Sequence, residues 1–206
     1  MSKSETLLQK LDRVARERKL ERFSKDSYDW FMKKAQGISP RGESLFDKIV
    51  KEQTSRNLDS SRPQPGMMYL FSYDAKTKAE LPYWDKHPLI ILFDRAKDNP
   101  NHFFGLNCHY LPLKLRSILF DSLLEIFNAP ERLGTKDKFK ISYGILKRAS
   151  ISPLYKPCFM SYLAENVKGT PVKIPPKEYE SALFMPLQNF QKASASTVWR
   201  DSAKYR

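Results

Sequence analysis

Three histidines and three aspartates in the middle of the chain are the residues whose types could support hydrolytic chemistry. They are His87, His102 and His109, with Asp85, Asp94 and Asp98 among them. A metal-dependent nuclease or hydrolase needs carboxylates or imidazoles that converge on one ion. A sheet could bring Asp85, His87 and His109 together, but their spacing matches no metal-binding motif.

Structural roles account better for these side chains. We expect His109 to hydrogen-bond to backbone at the end of a strand. Cys108 beside it does not complete a nucleophile pair, because neighbouring side chains on a strand point to opposite faces. Asp85 is expected to accept hydrogen bonds from backbone N–H groups of the turn that leads into His87.

Motifs of other enzyme classes are missing. The seven glycines are scattered, and they form neither a P-loop nor a dinucleotide-binding fingerprint. Serine hydrolase and kinase motifs are also absent from the sequence. The sequence therefore predicts a protein that is not an enzyme and that uses no metal and no cofactor.

The elements that position these residues are short strands between residues 65 and 112. Runs at 67–73, 88–93 and 102–106 have strand patterns, and the first is apolar on both faces. Ile90 and Phe103 could pair across a hairpin, and Gly105 would allow a bulge or a close approach of backbone. We predict an α+β fold whose core is a small antiparallel sheet or an SH3-like partial barrel.

Residues 1–62 are predicted to form a basic helical arm. Apolar residues recur at helical spacing at Leu7, Leu8, Leu11 and Val14, and a polar run over 54–62 resembles a linker. The arm could lie along phosphate, a partner helix or an anionic membrane surface, or it could be an ordinary solvated helix. We expect residues 63–190 to form the α+β core domain and 191–206 an anchoring tail.

Helices are expected to cover the sheet after residue 112. The patterns predict helices at 113–127, 153–167 and 178–190, and a lysine-rich turn at 135–140 followed by a helix. Residues 170–176 are predicted to be extended, as an edge strand limited by prolines. Trp199 is the lone tryptophan of a small polar tail, so it could anchor the tail on the protein's own body or on a partner.

Positive charge is concentrated in the flanks of the chain. The net charge is +13; residues 1–62 carry 15 basic and 10 acidic side chains, 63–112 carry 5 and 5, and 113–206 carry 16 and 8. Such a chain is attracted to polyanions, although solubility or an acidic protein neighbour would explain the charge too. The predicted nucleic-acid contacts are Arg13, Arg16, Arg18, Lys19, Arg116, Lys136, Lys138, Lys140, Lys147 and Arg148.

Other compositional features bear on the cellular setting. Cys108 and Cys158 are too few for a disulfide framework, so reduced thiols are expected. No apolar run approaches the roughly 20 residues that span a bilayer, and the polar start lacks the apolar part of a signal peptide. We expect a soluble intracellular protein, or one assembled in a particle made in a cytoplasm, with no membrane partner.

Several short motifs resemble a known family. They are Tyr69-x-Phe71-x-Tyr73, LPYWD at 81–85, GLN at 105–107, HYLP at 109–112, Arg116 and VWRDS at 198–202. They are similar to a family of small proteins from T4-like contractile-tailed bacteriophages. The resemblance implies a virion or DNA-packaging protein, a set that includes proteins that protect DNA ends. Its structural motif residues here are Tyr83, Trp84, Asp85, His109 and Tyr110.

The leading hypothesis is a non-enzymatic virion assembly or DNA-packaging protein that contacts DNA through its basic flanks. The first alternative is a neck, tail or baseplate subunit that binds only other virion proteins. A weaker alternative is a head-completion nuclease using Asp85, His87 and His109. We expect DNA and other virion proteins as partners, within an oligomeric assembly in the virion, built in the host cytoplasm. The candidate partner-binding residues are Leu7, Leu11, Val14 and Trp199.

Overall fold

Five strands form one antiparallel sheet that curls into a half-barrel. The computed structural model describes residues 13, 17, 63–95, 99, 101–127, 134–174, 179, 182 and 188–204. The sheet strands are β1 (Met68–Tyr73), β3 (Leu89–Arg95), β4 (His102–Asn107), β5 (Phe159–Leu163) and β6 (Val167–Ile174), in the order β5-β4-β3-β1-β6. A separate two-stranded sheet joins β2 (Trp84–Asp85) to β7 (Phe190–Gln191). The predicted α+β fold with an antiparallel core is confirmed.

The predicted hairpin is formed by β3 and β4, but its register differs from the prediction. Ile90 lies opposite Asn107, and Phe103 lies opposite Arg95. The predicted pairing of Ile90 with Phe103 is wrong because β3 continues to Arg95 and the chain therefore turns later. Gly105 does mark a close approach: a Cβ there would lie 2.7 Å from Cδ1 of Ile90 and 3.2 Å from the carbonyl oxygen of Ile91.

Two long helices cover one face of the sheet. Helix α1 spans Leu113–Phe127, the predicted bounds, and buries Leu115, Leu119 and Leu123 at helical spacing. Helix α2 spans Thr135–Ile151, so the lysines expected in a turn lie within the helix itself. The core on this face also holds the buried, unbridged thiols of Cys108 and Cys158. Burial raises the pKa of Cys108 to about 12.

The opposite face of the sheet carries an aromatic cluster. The ring of Tyr162 lies edge-on to Phe71 and Tyr73, with centroids 5.5 and 5.1 Å away, and it stacks on Phe103. These rings pack with Met67, Tyr69 and other buried residues in a second core cluster. Both faces of β1 are therefore apolar because both are covered, as the sequence predicts.

The predicted helix over 153–167 is wrong. This segment contains a short 3-10 turn (Lys156–Cys158), strand β5 and a second 3-10 turn (Ala164–Asn166). The spacing of its apolar residues is compatible with a helix and also with a strand. The segment is extended because β5 pairs with β4. The predicted edge strand does form, as β6, which pairs with β1 at the border of the sheet.

The C-terminal segment forms helix α3 (Ala195–Ala203). The hydroxyl of Ser194 accepts a hydrogen bond from the Thr197 N–H and so caps the helix. The other predicted helix near this end, over 178–190, lies mostly outside the described residues. Of its described residues, Tyr179 and Ala182 are helical, whereas residues 188 and 189 are not and Phe190 begins β7.

The predicted arm lies outside the described residues except at two positions. Arg13 and Glu17 are helical, and Nη1 of Arg13 lies 3.1 Å from Oε1 of Glu17 on an exposed face. The boundaries at residues 62 and 190 remain predictions. Within the described part of the chain, no helix has the length and apolar character needed to cross a bilayer.

Candidate nucleic-acid interface

The LPYWD motif ends in strand β2, and successive side chains from Trp84 to Lys86 point to opposite sides. Asp85 is 3% exposed and points into the protein, whereas Lys86 is exposed and Trp84 is half-buried. This is the alternation expected of extended backbone. The motif therefore has a buried side, which fixes β2, and an outer side, which presents an aromatic ring and a cation.

Asp85 joins three separate segments through its two carboxylate oxygens. Oδ1 accepts hydrogen bonds from the backbone N–H groups of His87, at 3.1 Å, and Asn189, at 3.4 Å. Oδ2 accepts one from Nδ2 of Asn107 at 3.2 Å and lies 2.6 Å from Nδ1 of His109. The bond from His87 is the predicted turn contact, and the others connect β2 to β4 and to the start of β7.

The pKa of Asp85 shows that this carboxylate is held in its ionised form. Burial acts to raise the pKa, but the charge and hydrogen bond of His109, with the N–H donors of His87 and Asn107, outweigh it and lower the pKa. Since an ionised carboxylate only accepts hydrogen bonds, Nδ1 of His109 must carry the proton. The predicted bond from the His109 side chain to backbone is wrong: the imidazole pairs with Asp85.

The three histidines do not gather around one point. The His87 ring lies 3.2 Å from Oγ of Ser72, and its pKa is lowered, chiefly by burial. His102 begins β4, at the end opposite Asn107, and pairs with Leu163. Among the described residues, no three His, Cys, Asp or Glu side chains are placed to hold a metal ion.

A pocket of about 410 Å³ opens on the outer side of β2. It lies between the end of β1, the following turn, β2, the start of β6 and β7. Its walls carry three lysines and two aromatic rings, and we call it the basic pocket. The residues that line it are Ser72, Tyr73, Asp74, Lys78, Trp84, Lys86, Lys168 and Gln191.

Cations surround the one carboxylate of the basic pocket. Nζ of Lys78 donates to Oδ1 of Asp74 at 2.9 Å. This bond, together with the charges of Lys78, Lys168 and Lys86, lowers the pKa of Asp74. Three lysines therefore face a single aspartate, and the pocket has a net positive charge.

Lys192 supports the pocket from beneath its tryptophan. Its Nζ lies 5.7 Å from the centre of the Trp84 ring, within the range of a cation–π contact. The same Nζ donates to the carbonyl oxygens of Lys78, Ala79 and Leu81 at 2.6, 3.1 and 3.1 Å. Lys192 also has a positive φ of 67°, a conformation that costs free energy and that these bonds help to hold.

Apart from Arg116, the predicted nucleic-acid contacts fall into three groups. Lys140, Lys147 and Arg148 are exposed on α2, and Lys138 is half-buried there. Lys136 belongs to the same helix, and Arg13 is exposed beside Glu17. Arg16, Arg18 and Lys19 lie outside the described residues, as do the partner-binding candidates Leu7, Leu11 and Val14.

Arg116 must be removed from the predicted DNA contacts. Its side chain is 2% exposed, and Nη2 donates to the carbonyl oxygens of Leu111 at 3.1 Å and His109 at 3.5 Å. A phosphate cannot reach a guanidinium that is enclosed in this way. Arg116 instead braces the turn that follows β4.

Trp199 docks on the body of the protein. Its Nε1 donates to the carbonyl oxygen of His109 at 2.8 Å, from α3 to the turn after β4. Tyr83 and Tyr110 pack nearby, with ring centres 6.1 Å apart, and Tyr110 also meets Phe190 edge-on. Of the two predicted docking sites for Trp199, the described structure shows the one on its own chain.

The sequence did not reveal the basic pocket. Tyr83, Trp84 and Asp85 were predicted to be structural, and the segment 63–112 was considered neutral overall. The alternation in Trp84-Asp85-Lys86 was a usable signal, since it places a ring and a cation on one side of a strand. Lys168 gave no such signal, because only the pairing of β6 with β1 brings it there.

Taken together, these features define a basic α+β protein with a lysine-lined, aromatic surface pocket beside an antiparallel half-barrel. A family described as Phage T4 terminal DNA protecting protein matches residues 3–202, nearly the whole chain. The chain belongs to this family of phage proteins. Searches of curated proteins and of solved structures gave no match.

Proposed function

We propose that this protein binds the ends of phage DNA and shields them, without catalysing a reaction, and that the basic pocket is the contact. The family description supports the role, and the pocket is the observation that supports the site. Lys78, Lys86 and Lys168 offer charge to phosphate, and Trp84 offers a surface for a base. A bound protein shields a DNA end simply by occupying it, because an exonuclease must reach the terminus to begin digestion.

The buried side of β2 makes the basic pocket a preformed site. Asp85 connects β2 to β4 and to residue 189, so Trp84 and Lys86 stand on backbone that is held from three directions. Lys192 fixes the turn at residues 78–81 through three carbonyls. A preformed site loses less conformational entropy on binding than a flexible one.

The basic flanks would contact the DNA next to the terminus. Lys140, Lys147 and Arg148 are exposed along α2, and the arm adds Arg13 and its neighbours. Contacts of this kind neutralise phosphates and carry no sequence information. We propose that they hold the adjoining duplex while the pocket holds its end.

Exonuclease protection tests this function. Linear duplex DNA labelled at one end is mixed with a processive exonuclease, and its lifetime is measured with and without the protein. We expect the wild type to lengthen the lifetime and the double variant Lys86→Gln/Lys168→Gln to lose most of that effect. The matched control is Lys156→Gln/Lys173→Gln, which removes two exposed lysines outside the pocket. Equal digestion with and without wild-type protein would refute the proposal.

We also propose contacts with other virion proteins, in a particle assembled in the host cytoplasm. A groove of about 430 Å³ between α1 and α2, lined by apolar side chains together with Glu125 and Arg148, favours this second role. Ile118 lines the groove and is 50% exposed, with Ile145 and Tyr155 beside it. Ile118→Glu should reduce incorporation into particles but leave DNA-end protection intact, and unchanged incorporation would argue against the groove.

A further inference from the structure

We propose that the basic pocket holds a single unpaired nucleotide at the end of a DNA strand, with its base against Trp84 and its phosphate among the lysines. This inference rests on the proposed function and specifies the form of DNA that the site accepts. The inference is based on three observations: the concave shape of the pocket, its aromatic wall and its arrangement of charge.

The shape of the site favours an unpaired nucleotide over duplex. Duplex DNA is read by protein elements that protrude into its grooves, such as a helix or a two-stranded ribbon. The basic pocket is a concavity of about 410 Å³, within the size range of sites for one small organic molecule. A base can enter such a concavity only after it has left the stack, which is easiest at a frayed or overhanging end.

The chemistry of the walls suits one base and one phosphate. Trp84 presents an aromatic surface, and base stacking on such rings tolerates any sequence. Lys86, one residue beyond the end of β2, lines the same pocket as Trp84, and Lys168 approaches from β6. The cationic Nζ atoms and the indole are therefore within one small site, as the two halves of a nucleotide require.

Asp74 limits what else can enter. Its ionised carboxylate lies among the lysines and repels a second phosphate. It can also accept a hydrogen bond from an exocyclic amino group of a base, the contact that acidic side chains make with cytosine. The pocket should therefore accept the last nucleotide of a strand, whereas a run of backbone phosphates would meet repulsion at Asp74.

Binding measurements with labelled ends test the inference. The probes are a blunt duplex and the same duplex with a one-nucleotide overhang of 2-aminopurine, a fluorescent adenine analogue that is quenched on stacking. We expect tighter binding of the overhang and quenching of its emission. Trp84→Leu should lower affinity for the overhang by about tenfold or more, and Trp84→Phe should retain most of it. Melting curves identify any variant that fails to fold. If a Trp84 variant does, Lys168→Gln tests the same site at an exposed residue of the pocket.

The outcomes separate this inference from the proposed function. Equal affinity for blunt and overhanging ends, with no quenching, would overturn the inference but leave end protection standing. No binding to either DNA would refute both. Competition with free deoxyadenosine monophosphate tests whether the pocket requires a nucleotide at the end of a strand or binds a free nucleotide equally well. If it displaces the overhang at equal concentration, the site binds free nucleotides, and the inference is overturned.

Discussion

Asp85 shows how one buried carboxylate can position an exposed site. Its hydrogen bonds reach residues 2, 22, 24 and 104 positions away in sequence. Its neighbours in sequence, Trp84 and Lys86, line the basic pocket, whereas Asp85 does not. The geometry of Trp84 and Lys86 therefore depends on a buried residue outside the pocket lining.

We expect Asp85→Asn to destabilise the fold by about 3 kcal/mol, since it removes the charge that faces the buried imidazole of His109. The folded-state pKa of Asp85 is lowered, so its stabilisation is present above the unfolded value of about 3.9 and is lost as pH falls through the folded value. The stability difference between wild type and variant should hold from about pH 7 to 5 and shrink below about pH 4.

Urea unfolding across this pH range measures the effect of Asp85→Asn. The control is Glu80→Gln, a change at an exposed carboxylate, which should alter stability by less than about 0.5 kcal/mol. Equal stability of Asp85→Asn and wild type at pH 7 would contradict the anchoring role, and so would equal stability of Asp85→Ala.

The local contact of Asp85 was predictable and the distant ones were not. An aspartate that accepts an N–H two residues ahead is a recurring turn motif, and the sequence LPYWDKHP contains it. The partners Asn107, His109 and Asn189 come from other elements. A local sequence pattern does not identify which strands will be neighbours. These hydrogen bonds can therefore be recognised only when the strand arrangement is known.

At the scale of elements, prediction succeeded where two signals agreed. Helix α1 has both a long apolar period and a proline just before its start, and its bounds were predicted correctly. Strand β5 has only a short apolar run, whose spacing is compatible with both a helix and a strand. The prediction of a helix there is therefore wrong. The conformation of β5 is decided by β4, which lies more than 50 residues earlier in the chain.

Two glycines should respond in opposite ways to alanine. At Gly105 the new Cβ would lie 3.1 Å from Cβ of Ile90 and 3.2 Å from the carbonyl oxygen of Ile91, neither of which can turn away. Gly105→Ala should therefore cost about 1–3 kcal/mol. Gly144 lies in α2, and a Cβ added there would meet nothing within 4 Å, so Gly144→Ala should stabilise by about 0.5–1 kcal/mol.

Thermal and urea unfolding of both glycine variants provide the comparison, with each serving as the control for the other. A stabilised Gly105→Ala would mean that β3 and β4 separate more easily than the close contact implies. A destabilised Gly144→Ala would mean that another group occupies the open side of α2.

At the scale of the whole molecule, the basic pocket combines lysines from the neutral core segment and from a basic flank. The basic pocket takes Lys78 and Lys86 from the segment considered neutral and Lys168 from a flank. Folding brings together cations that a count along the chain assigns to different regions. The pocket could therefore not have been predicted from composition.

Salt dependence should report whether the lysines of the basic pocket neutralise a phosphate. Each neutralised phosphate contributes about 0.7 to 0.9 to the slope of log affinity against log salt concentration. Because Lys86 and Lys168 share one phosphate in the proposed complex, Lys86→Gln/Lys168→Gln should reduce the slope by about 0.7 to 0.9. Titrations of end-containing DNA at several salt concentrations measure it.

The Lys156→Gln/Lys173→Gln protein is again the matched comparison, and it should keep the wild-type slope. An unchanged slope in the pocket variant would show that its lysines do not contact phosphate, even if affinity fell for another reason.

The pairing of β2 with β7 also has a consequence for synthesis of the protein. The strand that pairs with β2 ends at Gln191, so Trp84 and Lys86 leave the ribosome long before it does. Domains form as their segments emerge, and contacts distant in sequence form late. The basic pocket therefore cannot be complete in a nascent chain until β7 has emerged, and we expect no DNA binding at this site before that point.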